Sequence, residues 1–112
     1  MLRDPQGAVL ALRTGGPWAD RGGIVRHELQ TTDVAAAVGF YRELLGLEPL
    51  PLRTRGELSY VPFRFRDGRA PTDGAACDSH GGIVDSARAA HIHPHWLPHF
   101  GCDDLEQAAI RV

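Results

Sequence analysis

The chain has 112 residues, 43% of them hydrophobic and 23% charged. That length fits one small domain by the prior of about 100–200 residues per domain, and the apolar fraction excludes a disordered chain. A formal net charge of −2 argues against a general nucleic-acid binder, whose footprint is a basic surface, and no run approaches the roughly 18 consecutive apolar residues of a membrane span. The N-terminal residues Met1 to Pro5 hold no apolar core of a secretory signal, and Cys77 and Cys102 lack CxxC spacing. A cytoplasmic chain with reduced thiols is therefore the expectation. All 12 basic residues are arginine, while Lys and Asn are absent. Together with abundant Ala, Gly and Pro, this reads as coding bias in a GC-rich genome.

The first predicted element is a short buried strand over Gly7–Arg13, between the turn signals Asp4-Pro5-Gln6-Gly7 and Thr14-Gly15-Gly16-Pro17. Residues 14–23 form a Gly-rich linker, in which Trp18 is placed to pin the loop to the core. A strand follows over Ile24–Thr31. Its alternation puts Ile24, Arg26, Glu28 and Gln30 on one face and Val25, His27, Leu29 and Thr31 on the other. Asp33 supplies the N-cap of a helix over Val34–Leu45. Val34, Ala37, Val38, Tyr41, Leu44 and Leu45 form its apolar stripe, and Gly46 stops it.

Leu47–Leu52 is a short strand that Pro49 and Pro51 confine to an edge or a bulge. Leu58–Arg66 alternates as a half-buried strand, with Val61, Phe63 and Phe65 inward, and Asp67-Gly68 signals a hairpin turn. Gly81–Val84 closes a further strand, residues 85–95 form a polar His-rich linker, and Trp96–Cys102 is another strand. Asp104 begins a last helix, with Gln107 completing a capping box and Leu105, Ala108, Ala109 and Val112 as its stripe.

Strand, Asp cap and helix thus occur twice, and Asp104 follows Asp33 by 71 residues. Such self-similarity suggests a duplicated supersecondary unit. The pattern Glu28-Leu29-x-Thr31-x-Asp33-x-x-Ala36-Ala37-x-x-Phe40-Tyr41-x-x-Leu44-x-Gly46 resembles the vicinal oxygen chelate superfamily, which includes glyoxalase I, extradiol dioxygenases and bleomycin-resistance proteins. Asp4-Pro5-x-Gly7-Ala8 resembles the turn and last strand of such a module, and His95-Trp96-Leu97-Pro98-x-Phe100-x-x-Asp103-Asp104 the start of the next in tandem actinobacterial members.

The resemblance implies an α+β fold built on a βαβββ unit. Residues 1–23 would hold the last strand of a preceding unit plus a linker. Residues 24–84 would be the unit itself, 85–95 a linker, and 96–112 the first strand and helix of an incomplete second unit. Family units pair so that their sheets enclose a cleft. One unit leaves that face uncovered, so a homodimer is implied, with exchange of the terminal segments open. A partial module serving only association is the bland alternative.

Family enzymes hold Fe, Mn, Ni or Zn with His and Glu facing the cleft. The resemblance puts the three ligand positions at Arg26, Ala11 and Leu97, none of which fits a metal. His27 is one residue off the expected position, and by alternation it turns toward the helix. His27 and Glu28 remain as metal candidates, neither favoured. The His91-Ile92-His93-Pro94-His95 run and Cys77 with His80 could bind metal adventitiously, although two ligands do not close a zinc site. There is no Gly-x-Ser-x-Gly elbow and no Gly-rich phosphate loop before a helix. The cleft candidates are Arg26, Glu28, Gln30, Tyr60, Arg64 and Arg66. Arg64 and Arg66 share a strand face from which forked guanidinium groups could hold an anionic or planar ligand. The expectation is a protein that binds a small organic molecule in a dimer cleft without a catalytic metal. The alternative is a metal-dependent lyase or dioxygenase.

Overall fold

A computed structural model describes residues 1–10, 24–66, 79–100 and 104–110. The fold is α+β: a mixed sheet with a helix on one face. Its strands are β3 (Ile24–Gln30), β4 (Leu47–Pro49), β5 (Arg53–Arg55), β6 (Leu58–Phe65), β7 (Gly81–Val84) and β8 (His95–Phe100). They lie in the order β4-β6-β7-β3-β8, with β5 also paired to β6. The β3–β7 pair is parallel and the others are antiparallel. A separate antiparallel hairpin, β1 (Leu2–Arg3) with β2 (Val9–Leu10), stands at the N-terminus.

Helix α1 (Val34–Leu45) starts where the Asp33 side chain accepts a hydrogen bond from the Ala36 amide at 3.0 Å. It ends at Gly46, which sits at φ 64° and donates its amide to the Arg42 carbonyl. Both boundaries follow the capping rules. Ala37 and Tyr41 are fully buried and Val34, Val38 and Leu45 pack beside them. Leu44 is exposed, and Phe40, outside the expected stripe, packs on the core instead. The core lies between α1 and the sheet face carrying Leu29, Leu47, Phe63 and Ile83.

Several expectations need correction. Of the expected strand over Gly7–Arg13, Val9–Leu10 is strand among the described residues, and Val9 is 44% exposed rather than buried. The short hairpin turns on Asp4, whose Oδ1 accepts from the amides of Gln6, Gly7 and Ala8. Gly7 takes φ 109°, which suits glycine alone. The Leu47–Leu52 strand is shorter and is followed by β5, which alternation alone did not signal. Pro49, Pro51 and Leu52 interrupt the edge, so β4 and β5 pair with different ends of β6. The 85–95 linker opens with a 3-10 turn, Asp85–Arg88, that buries Asp85 and Ala87. The final helix, α2 (Leu105–Ile110), is short, and Asp104 caps it by accepting from the Gln107 amide at 3.0 Å. Residues 11–13, Trp18, the Asp67-Gly68 turn, Cys77, Cys102 and Val112 lie outside the described residues.

One buried chain of hydrogen bonds joins three distant segments. The Trp96 indole donates to the Tyr41 hydroxyl at 3.0 Å, and that hydroxyl donates to Asp4 Oδ2 at 2.9 Å. It links the N-terminal turn, α1 and β8. Burial holds the Tyr41 hydroxyl above the ordinary phenol range, so it stays protonated as the link requires. None of the described helices is long and apolar enough to cross a membrane.

Candidate functional site

Strand register divides the sheet into two unlike faces. His27, Leu29, Val61, Phe63, Ile83 and Trp96 fall on the α1 side, and Arg26, Glu28, Gln30, Tyr60, Gly82 and Leu97 on the other. The first set is the core. The second is a polar network whose members come from β3, β5, β6, β8 and the 3-10 turn.

Tyr60 is its centre. The ring lies over Gly82, where a Cβ would run into the ring carbons and hydroxyl. Glycine is thus required by close approach rather than by backbone angle. The Tyr60 hydroxyl accepts a hydrogen bond from Arg26 Nη2, while Arg26 Nη1 donates to Ser79 Oγ at 3.2 Å. The Arg55 guanidinium lies 4.4 Å from the centre of the same ring, and that of Arg26 5.9 Å. Both are within cation–π range, worth about 0.5–2 kcal/mol each depending on exposure.

Glu28 is the carboxylate of the network. Its Oε1 accepts from Gln30 Nε2 at 3.0 Å and from Arg55 Nη1 at 3.2 Å. Its side chain is 8% exposed, against 55% for Arg55. Gln30 Oε1 in turn accepts the Ser86 hydroxyl. On the neighbouring strand His99 Nε2 is buried without a hydrogen-bond partner, 3.9 Å from Glu28 Oε2.

The sequence-derived candidates separate clearly. Arg26, Glu28, Gln30 and Tyr60 come together. Arg64 shares their face but lies opposite Glu48, toward the far end of β6. Arg66 lies beyond the strand, exposed, with its Nε 3.4 Å from Glu48 Oε1, so the Arg64–Arg66 pair does not form one fork. Sequence reading missed Arg55, Ser86 and His99 as members. The signal for Arg55 was present: Gly56-Glu57 is a two-residue loop, with Gly56 at φ 64°, between Arg53–Arg55 and Leu58–Tyr60.

His27 and Glu28, the two metal candidates, lie on opposite faces of β3. The His27 ring meets the Phe65 edge at a centroid distance of 6.0 Å. Burial, and then the nearby His80, lower its pKa from the ordinary 6.5. His80 accepts the Phe65 amide on Nδ1 at 3.0 Å. His91 and His93 are exposed, and His95 Nδ1 meets the His93 carbonyl at 2.6 Å. Among the described residues, no three His, Cys, Asp or Glu side chains converge as a metal site.

A shallow groove of about 640 Å³ opens elsewhere, between the start of α1 and the β4–β5 edge. Val34, Val38, Leu50, Leu52 and Val61 form its apolar wall. It contains none of the candidate residues. No family model, curated protein or solved structure matches the chain.

Proposed function

We propose that this chain is a glyoxalase/bleomycin-resistance-like unit that binds a small organic molecule on the sheet face opposite α1. A second copy completes the cleft. The observation that carries this reading is the Arg26–Tyr60–Arg55–Glu28–Gln30 network. A sheet face with no function in recognition has little reason to hold a buried carboxylate, a buried amide and two oriented guanidinium groups. Each such group costs desolvation that a simple apolar or solvated face would avoid. The order β3, α1, then β4 with β5, β6 and β7 supports a βαβββ unit. The antiparallel seating of β8 on β3 supports reading it as the start of a second one.

The residues do not suit a catalytic metal. Of the positions the family uses, Arg26 is cationic and Leu97 has no donor; Ala11, outside the described residues, has none either. Among the described residues, Glu28 and His99 are two donors that approach each other on this face, and the cationic Arg26 and Arg55 lie on the same face. Two ligands beside two guanidinium groups make a poor cation site. The chemistry the face offers is binding: hydrogen bonds from fixed guanidinium forks, beside a carboxylate and an amide that orient them.

The test is amide chemical-shift mapping during titration with a library of small aromatic and aliphatic fragments, run beside elemental analysis of untagged protein. Shifts clustered on β3, β6 and β7 with no stoichiometric metal are expected. Binding confined to the groove beside α1 would overturn the reading. So would stoichiometric Fe, Mn, Ni or Zn lost in Glu28→Gln.

A further inference from the structure

We propose that the ligand of this face is an organic anion with a planar carboxylate, an inference that rests on the cleft reading above. It follows from how charge is distributed over the face. Among the described strand residues, register places Arg26, Arg53, Arg55 and Arg64 there, with Glu28 and Glu48 as the carboxylates. Beside Tyr60 the acid is the less available charge. Glu28 lies beneath Arg55, 8% exposed where the arginine is 55% exposed, so the outer surface at that point is cationic. Glu48 is half exposed and pairs with Arg66 at the far end of the face, away from Tyr60. Beside Tyr60, a covered acid under a more exposed guanidinium leaves a local surface that attracts anions and repels cations.

The geometry narrows the class further. Arg26 and Arg55 flank one phenol ring, and Gly82 beneath that ring fixes its height above the sheet. The two guanidinium groups therefore have a fixed relation to each other. A guanidinium presents coplanar N–H donors that match the two oxygens of a carboxylate. The inner face of Arg55 is stacked on Tyr60, which leaves its outer face to stack a planar ligand body. Glu28 accepts from Arg55 Nη1 and is itself held by Gln30 Nε2.

The probe is benzoate, compared with its neutral isostere benzamide and with inorganic phosphate. Binding is followed by calorimetry and by amide shifts on wild type, Arg26→Gln, Arg55→Gln and Arg42→Gln. Arg42 lies in the last turn of α1 and serves as the charge-matched control. The expected result is benzoate binding at least about tenfold tighter than benzamide, with a loss of about tenfold or more in either cleft variant, as for a charge-assisted hydrogen bond. Arg42→Gln is expected to bind as wild type. Far-UV circular dichroism confirms that each variant folds, and Arg55→Gln carries the test if Arg26→Gln does not. Equal binding of benzoate and benzamide on this face overturns the anion assignment and leaves the cleft reading standing. Binding of phosphate as tight as benzoate, equally in all four proteins, means an adventitious ion only and overturns it as well. No binding by any probe or fragment overturns both.

Discussion

At Gly82 one hydrogen atom in place of a methyl group decides the shape of the polar face. Tyr60 occupies the space that any side chain there would need, and the two arginines are oriented by Tyr60. Gly82→Ala is expected to cost about 1–3 kcal/mol, the usual range for overpacking, and to disturb ligand binding beyond its effect on stability. Urea titration measures the first, and amide shifts of β3 on fragment addition the second. Tyr41 is the matching residue on the core side. Tyr41→Phe leaves the Asp4 carboxylate and the Trp96 indole without their shared partner, a loss of about 1–3 kcal/mol for buried groups. The change is read from the urea midpoint, with Trp96 fluorescence in a Trp18→Phe background as a local signal. Asp4 and Tyr41 were legible in the sequence separately, as a turn former and a helix-stripe residue. Their contact was not, because no local rule links residues so distant in the chain.

Elements with strong local chemistry were legible. The helix over Val34–Leu45 has an Asp cap and a Gly stop that the structure shows, and its apolar stripe holds except that Phe40 packs on the core where Leu44 is exposed. Replacing Asp33 by Ala is expected to destabilise the fold by about 0.5–2 kcal/mol. The same change at Asp104, which caps a six-residue helix whose Glu106, Gln107, Ala109 and Ile110 are exposed, is expected to leave the urea midpoint unmoved. Alternation also placed His27 correctly on the helix side of β3, and this carries a pH dependence. Burial and His80 hold the His27 pKa below its ordinary 6.5. The folded state therefore binds fewer protons than the unfolded state in that range, so the contribution is fully present above pH 6.5. It is lost as pH falls through the lowered value. Urea midpoints at pH 7.5 and 5.5 are expected to fall less in His27→Gln than in wild type; an equal fall would remove His27 as the cause. The β4–β5 edge was less legible. Prolines there marked an interruption without telling which half of β6 each piece would join, and tertiary pairing decides that.

For the whole molecule, sequence periodicity located the polar face but not its organisation. Arg26, Glu28 and Gln30 were placed together by simple alternation. Arg55 joined them through the local β5–β6 hairpin, and His99 only through strand order, which no single segment encodes. The resulting sheet has unequal faces: α1 covers one, and the other carries the network with Leu97, 44% exposed, beside Glu28 on the neighbouring strand. The outer edge of β8 contains Pro98, which discourages simple edge-to-edge growth of the sheet. A second copy is therefore expected to meet this one across the polar face. Introducing Leu97→Arg adds charge beside Arg26 and Arg55 and is expected to weaken that association by tenfold or more, roughly the cost of an uncompensated charge at an interface. The most direct test of the central claim is the solution mass by multi-angle light scattering across a concentration series. Twice the 12.2 kDa chain mass, falling to the single-chain mass in Leu97→Arg, is the expected result. A wild-type chain that stays at the single-chain mass throughout would contradict a cleft completed by a second copy.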